Sequence, residues 1–206
     1  MKKFKNKYRI DTARAKWWDY KNEGLYFITI CTKNRKHLFG FVKDGEMILN
    51  EYGKIVLDCW QDLPNHYPNI VLDEFCIMPN HIHCIVGVDN SVFSDYSDYS
   101  NHSVYSVETG LKPVCTLPVC TLPVCTLSVC TLSAKEVKIH GVFEFIRALK
   151  SFSSRKINEV RNCKGVSNWQ ERFHDHIIRN ENEYNRIKNY IVNNPKKWDE
   201  DSFFSE

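Results

Sequence analysis

Two histidines stand one residue apart in the run FCIMPNHIHCIVGV, residues 75–88. On a strand, residues i and i+2 point to the same face. His81 and His83 therefore project side by side, with Ile82 facing the other way. Two neutral imidazoles on one rigid face are the start of a divalent-metal site. A second pair, His174 and His176, occurs near the C-terminus. Either pair can also be read as polar residues on an exposed sheet face. Further on, ENEYNRIKNYIVNNPKKW (181–198) puts Tyr190 and Asn194 four residues apart, on one face of a helix. A tyrosine hydroxyl can act as a nucleophile, and an asparagine carbonyl oxygen can ligate a metal. The plainer readings are a packing residue for Tyr190 and a cap ahead of Pro195 for Asn194. Lys150, Arg155, Lys156 and Arg179, with the N-terminal bases, are candidates for holding phosphates, against the alternative of a solvated face. Trp17, Trp18 and Tyr26 could stack on unpaired bases, although Tyr26 also suits a core.

These residues need a scaffold. GLYFITICTK (24–33) is rich in aromatic and β-branched residues and predicts a strand. In NEYGKIVLDCWQDLP (50–64), Ile55, Val56, Cys59, Trp60 and Leu63 recur at helical spacing, with Asn50 as N-cap and Pro64 as the stop. NIVLDEFCIMPNHIHCIVGV (69–88) predicts two strands joined by a turn at Met78-Pro79-Asn80. Phe145, Ile146, Leu149 and Phe152 mark one face of a helix over 141–160. A strand within 168–180 and a last helix over 181–198, ended by Pro195, complete the series. Strand, helix, strand, strand, helix, strand is the split-βαβ, or ferredoxin-like, order. The expected fold is α+β: a four-stranded antiparallel sheet with helices on one face, plus a C-terminal helix carrying Tyr190.

The chain has 206 residues, 43% of them apolar, enough for one medium domain. An insertion at about 89–138 interrupts it. SDYSDYSNHSVYS is low-complexity, and KPVCTLPVCTLPVCTLSVCTLS repeats every five residues with Cys115, Cys120, Cys125 and Cys130. A proline or serine at that period opposes both helix and central strand, and the cysteine spacing matches no zinc motif. Net charge is +3 overall. Because residues 89–133 carry more acids than bases, the remainder is more basic, which suits a polyanionic partner. No apolar run approaches the ~18 residues of a membrane span, and the basic N-terminus has no apolar stretch after it. An odd number of cysteines, nine, argues for free thiols in a reducing compartment. The expected location is the cytoplasm.

MPNHIHCIVGV and FHDHIIRNENEYNRIKNYIVNNPKKW, with GLYFITICTKNRKHLFG and VLDEFCIMPNHIH, resemble the His-hydrophobe-His single-strand DNA transposases. Within that class the chain most resembles the REP-associated tyrosine transposases, relatives of insertion-sequence-200-like elements. The likeness spans nearly everything outside 89–138. It implies that Tyr190 is the catalytic nucleophile and that His81, His83 and Asn194 bind a divalent cation, Mg²⁺ or Mn²⁺. It implies cleavage and rejoining of hairpin-containing single-stranded DNA through a 5′-phosphotyrosine link, by a monomer or a homodimer. The alternative is a non-catalytic or domesticated single-stranded nucleic-acid-binding module on the same fold.

Overall fold

A computed structural model describes residues 17–93 and 138–204. The cysteine repeat and most of the low-complexity segment lie outside the described residues, as do the N-terminal bases. The elements below all lie in one unit, built from the chain on either side of residues 93–138.

Strand β1 (Gly24–Cys31) is followed by a small hairpin, β2 (Gly40–Lys43) and β3 (Glu46–Leu49). Helix α1 (Glu51–Gln61) and a one-turn helix α2 (Leu63–His66) lead into β4 (Ile70–Ile77) and β5 (His81–Val88). Beyond residue 138 come α3 (Val142–Val160), β6 (His174–Ile178) and α4 (Glu181–Asn193). A 3₁₀ segment, Pro195–Glu200, begins the C-terminal tail.

The main sheet runs β4-β5-β1-β6, with every neighbouring pair antiparallel. This is the expected split-βαβ sheet. Alternation along the strands sorts side chains to two faces. Tyr26, Ile28, Ile30, Ile82, Cys84 and Val86 join Val56 and Trp60 of α1 and Phe145 and Leu149 of α3 in the main core. The opposite face carries Leu25, Phe27 and Ile85, and α4 covers it with Ile187 and Ile191. His81 and His83 share the parity of Ile85, so both imidazoles point toward α4.

Local chemistry explains the element ends. Asn50 caps α1 by accepting from Gly53 N at 3.0 Å, and Asn180 caps α4 by accepting from Glu183 N at 2.9 Å. Pro64 does not stop α1. That helix ends at Gln61, and Pro64 lies in the first turn of α2, where its missing N–H costs nothing. Pro195 plays the same part in the 3₁₀ segment after α4, so the last helix stops at Asn193. The β2–β3 hairpin was not anticipated. It turns through Asp44 and Gly45, both at positive φ (54° and 75°), the pairing that a two-residue type I′ turn requires. At its other end Gly40 has φ +139°, and a Cβ there would sit 2.0 Å from the Ile48 carbonyl oxygen. Among the described residues, no helix is long and apolar enough to cross a membrane.

Candidate metal and tyrosine site

β5 sits between β4 and β1, which makes it a rigid platform for its two imidazoles. His81 is fully buried and His83 is 1% exposed. Their Nε2 atoms lie 3.0 Å apart. Each ring is oriented through its other nitrogen. His81 Nδ1 is 2.8 Å from Asn80 Oδ1, and His83 Nδ1 is 2.8 Å from Thr29 Oγ1 on the neighbouring strand. The Asn80 amide is itself fixed, because its Nδ2 donates to Phe203 O at 2.7 Å. Its oxygen therefore faces His81, which must donate from Nδ1 and keep a lone pair on Nε2. Burial pushes both imidazoles down to about 3, so both are neutral at pH 7.

α4 brings Tyr190 across this pair. The tyrosine hydroxyl lies 3.1 Å from His83 Nε2 in the same chain, and the two rings meet edge-on at 5.1 Å. Phe27 stacks on His83 at 5.5 Å and completes the wall. Burial, then the charge of Asp201, push the Tyr190 hydroxyl up to about 12, with an opposing contribution from Asn194. Tyr190 is nevertheless 44% exposed. It opens into a pocket of about 500 Å³ lined also by Arg186, Asn194, Lys197 and Asp201.

Asn194 is 3% exposed. Its Nδ2 donates to Asp201 Oδ2 at 2.8 Å, while its Oδ1 is buried with no hydrogen-bond partner among the described residues. Asp201 was not singled out from the sequence. It lies beyond α4, where no periodicity marks it. The tail folds back so that Asp201 Oδ2 comes 3.9 Å from His81 Nε2, and His81, His83 and Asp201 offer ligand atoms within 4.8 Å of one another. Trp198 and Phe203 hold the tail, with ring centroids 6.0 and 4.7 Å from that of His81.

These residues fit a divalent cation. Two imidazole nitrogens 3.0 Å apart match neighbouring corners of a coordination shell with metal–nitrogen bonds of about 2.1 Å. The buried, unpartnered Asn194 oxygen and the Asp201 carboxylate add hard donors.

The other histidine pair lies on the same sheet face, in β6, but is not gathered into this cluster. His176 Nε2 is 2.8 Å from Glu183 Oε1 on α4, and His174 pairs in register with Thr29. The four candidate phosphate contacts do not form one surface. Lys150 and Arg155 line a groove of about 770 Å³ on the α3 side, together with Lys33 and Arg147. Lys150 Nζ is already engaged there, donating to Gln170 O at 2.6 Å and Glu171 O at 2.9 Å. Lys156 faces Cys59 and Asp62 near α1 and α2. Arg179 sits apart, just before α4. Of the aromatic candidates, Tyr26 is buried and accepts from Trp18 Nε1 at 2.9 Å, whereas Trp17 is 72% exposed.

A split-βαβ sheet with a His-x-His strand under a tyrosine-bearing helix shares its fold with a REP-associated tyrosine transposase. The solved structure of that protein bound to a REP hairpin superposes with a TM-score of 0.50 at 16% identity, covering 90% of this chain and 74% of that one. By sequence, the chain belongs to the same family as a Haemophilus influenzae (strain ATCC 51907 / DSM 11121 / KW20 / Rd) protein named "Uncharacterized protein". The two are 33% identical over 193 residues, 94% of this chain and 92% of the relative. No family model matches the chain.

Proposed function

We propose that this protein is a metal-dependent transposase that binds hairpin-containing single-stranded DNA and cleaves and rejoins it through Tyr190. The observation that carries this reading is the 3.1 Å approach of the Tyr190 hydroxyl to His83 Nε2, which brings a nucleophile and a metal-ligand pair together within one chain. His81, His83 and Asn194 would hold Mg²⁺ or Mn²⁺, which when bound supplies charge neutralisation and polarises a non-bridging phosphate oxygen. Two imidazoles favour Mn²⁺ over Mg²⁺, which prefers an all-oxygen shell.

The chain's own residues do the rest. Thr29 and Asn80 keep the rings from rotating, and Phe27 excludes water from the His83 face. Arg186 and Lys197, beside the pocket, attract the phosphate backbone. The Tyr190 oxygen attacks phosphorus in line with the 3′ oxygen. The P–O3′ bond breaks, leaving a 3′-hydroxyl and a 5′ phosphate esterified to Tyr190. The tyrosine loses a proton as the leaving oxygen gains one. A 3′-hydroxyl from another strand end can run the step backwards, so rejoining needs no external energy source.

The test is to mix the protein with Mn²⁺ and hairpin-bearing single-stranded oligonucleotides and look for an adduct that survives denaturation. Tyr190→Phe should lose the adduct by at least about 10³-fold and keep hairpin binding. Nicking that persists in Tyr190→Phe would refute the assignment. Binding with no adduct from the unaltered chain would leave a nucleic-acid-binding module instead.

A further inference from the structure

We propose that Asp201 is a carboxylate ligand of the cation held by His81 and His83, so that metal binding fastens the C-terminal tail onto the sheet. The proposal rests on the reading of the His pair as a metal site and goes beyond it, because it assigns a ligand from a segment outside the split-βαβ unit.

Four observations lead to it. Asp201 Oδ2 is 3.9 Å from His81 Nε2, and its side chain is 3% exposed. With the two imidazoles the carboxylate forms a cluster whose ligand atoms all lie within 4.8 Å of one another. The carboxylate is held in place. Oδ1 accepts from Phe203 N at 2.7 Å, and Oδ2 accepts from Asn194 Nδ2 at 2.8 Å. That second bond also turns the Asn194 amide so that its oxygen is the end left without a partner. Asp201 thus offers one donor and orients another. Two imidazoles, one carboxylate and one amide oxygen form a mixed set that suits Mn²⁺, and they leave room on a six-coordinate ion for phosphate oxygens.

The consequence is thermodynamic linkage. Two ligands come from β5, Asn194 from the end of α4 and Asp201 from the tail, so a cation that needs Asp201 binds only the docked tail and stabilises docking by mass action. The tail is otherwise held by Trp198, by Phe203 and by the Asn80–Phe203 hydrogen bond. Lys196 and Lys197 within it are exposed, but trypsin needs the 3₁₀ segment to open locally before it can cut.

The experiment measures Mn²⁺ affinity of the full chain from the free-ion electron-spin-resonance signal, and tryptic cleavage after Lys196 and Lys197, each with and without Mn²⁺. Asp201→Asn and Asp201→Ser are compared, so that a folding defect in one, checked by circular dichroism, leaves the other. The expected result is affinity about tenfold to a hundredfold weaker in these variants, and Mn²⁺ protection of the two lysines only in the unaltered chain. Affinity or protection unchanged by both substitutions overturns the role of Asp201. His81→Ala and His83→Ala separate the two readings. If they abolish binding while the Asp201 variants do not, the His site stands and the Asp201 assignment falls. If they too leave binding intact, the reading of the His pair as the metal site falls with it.

Discussion

The two imidazoles hold their neutral form against ordinary histidine chemistry, and that has a consequence for stability. An unfolded histidine titrates near 6.5, whereas burial holds both rings down to about 3 in the fold. Between those values the unfolded chain binds more protons than the folded one. The rings therefore favour the fold fully above pH 6.5, and that contribution is lost as pH falls toward 3. With chelator present, the thermal midpoint should drop steadily between pH 6.5 and 4.5, by a destabilisation of about 2 kcal/mol for each ring and about 4 kcal/mol for the pair. His83→Phe should reduce the dependence by about half, because His81 still titrates, and a parent profile with no slope in this range would contradict the burial of the pair. The sequence displayed this pair openly, because a period of two on a strand needs only the residues themselves. Asp201 was hidden for the opposite reason. Its place depends on a tail folding back onto His81, a contact 120 residues distant in sequence, and no local pattern encodes that.

At the scale of elements, α4 is the part on which the site depends. It meets the sheet through a satellite core apart from the main one, with Ile85, Ile187 and Ile191 at its buried centre and Leu25, Phe27, Cys76, Ile178 and Tyr184 packed around them. A helix that contributes only two buried side chains, Ile187 and Ile191, is sensitive to losing one. Ile191→Ala, fully buried, should cost about 2–4 kcal/mol and raise amide exchange in α4 ahead of the main sheet. Val192→Ala, next along the helix and 53% exposed, should change stability by less than about 0.5 kcal/mol. Equal effects would mean that α4 does not rest on this interface. The helix itself was plain in the sequence from its 3.6-residue spacing, as were α1 and α3. The face it covers was not, since amphipathicity says which side is buried and not against what. The β2–β3 hairpin was legible in principle: Asp44-Gly45 between short half-apolar runs is a turn signature. The two proline positions show why boundaries fail. The residue that cannot continue one helix is well suited to begin the next, as Pro64 and Pro195 both do.

At the scale of the whole molecule, the interrupting segment enters and leaves at neighbouring points. The Asn69 side-chain amide donates to Asn90 Oδ1 at 3.1 Å and to His140 O at 2.8 Å, so one side chain ties together the two flanks. Asn90 Nδ2 donates in turn to Lys21 O at 2.9 Å, and Val142 N donates to Tyr20 O at 3.1 Å. Both flanks are thus anchored to the stretch before β1, independently of what lies between them. Loop-closure entropy grows only slowly with length, so a shorter connection should serve equally well. Replacing residues 94–137 with a Gly/Ser linker of about eight residues, long enough to reach between the flanks, should leave the thermal midpoint within about 4 °C of the parent. Mn²⁺ affinity should be unchanged, because His81, His83, Asn194 and Asp201 all lie outside the excised segment. The replacement also removes Cys115, Cys120, Cys125 and Cys130, which makes it a direct test of the repeat. A variant that folds with an unchanged midpoint but loses Mn²⁺ would place a ligand within the repeat. Collapse of the midpoint would mean that the segment packs on the sheet. Retention of both would leave the split-βαβ unit and its tail as the whole of the binding machinery.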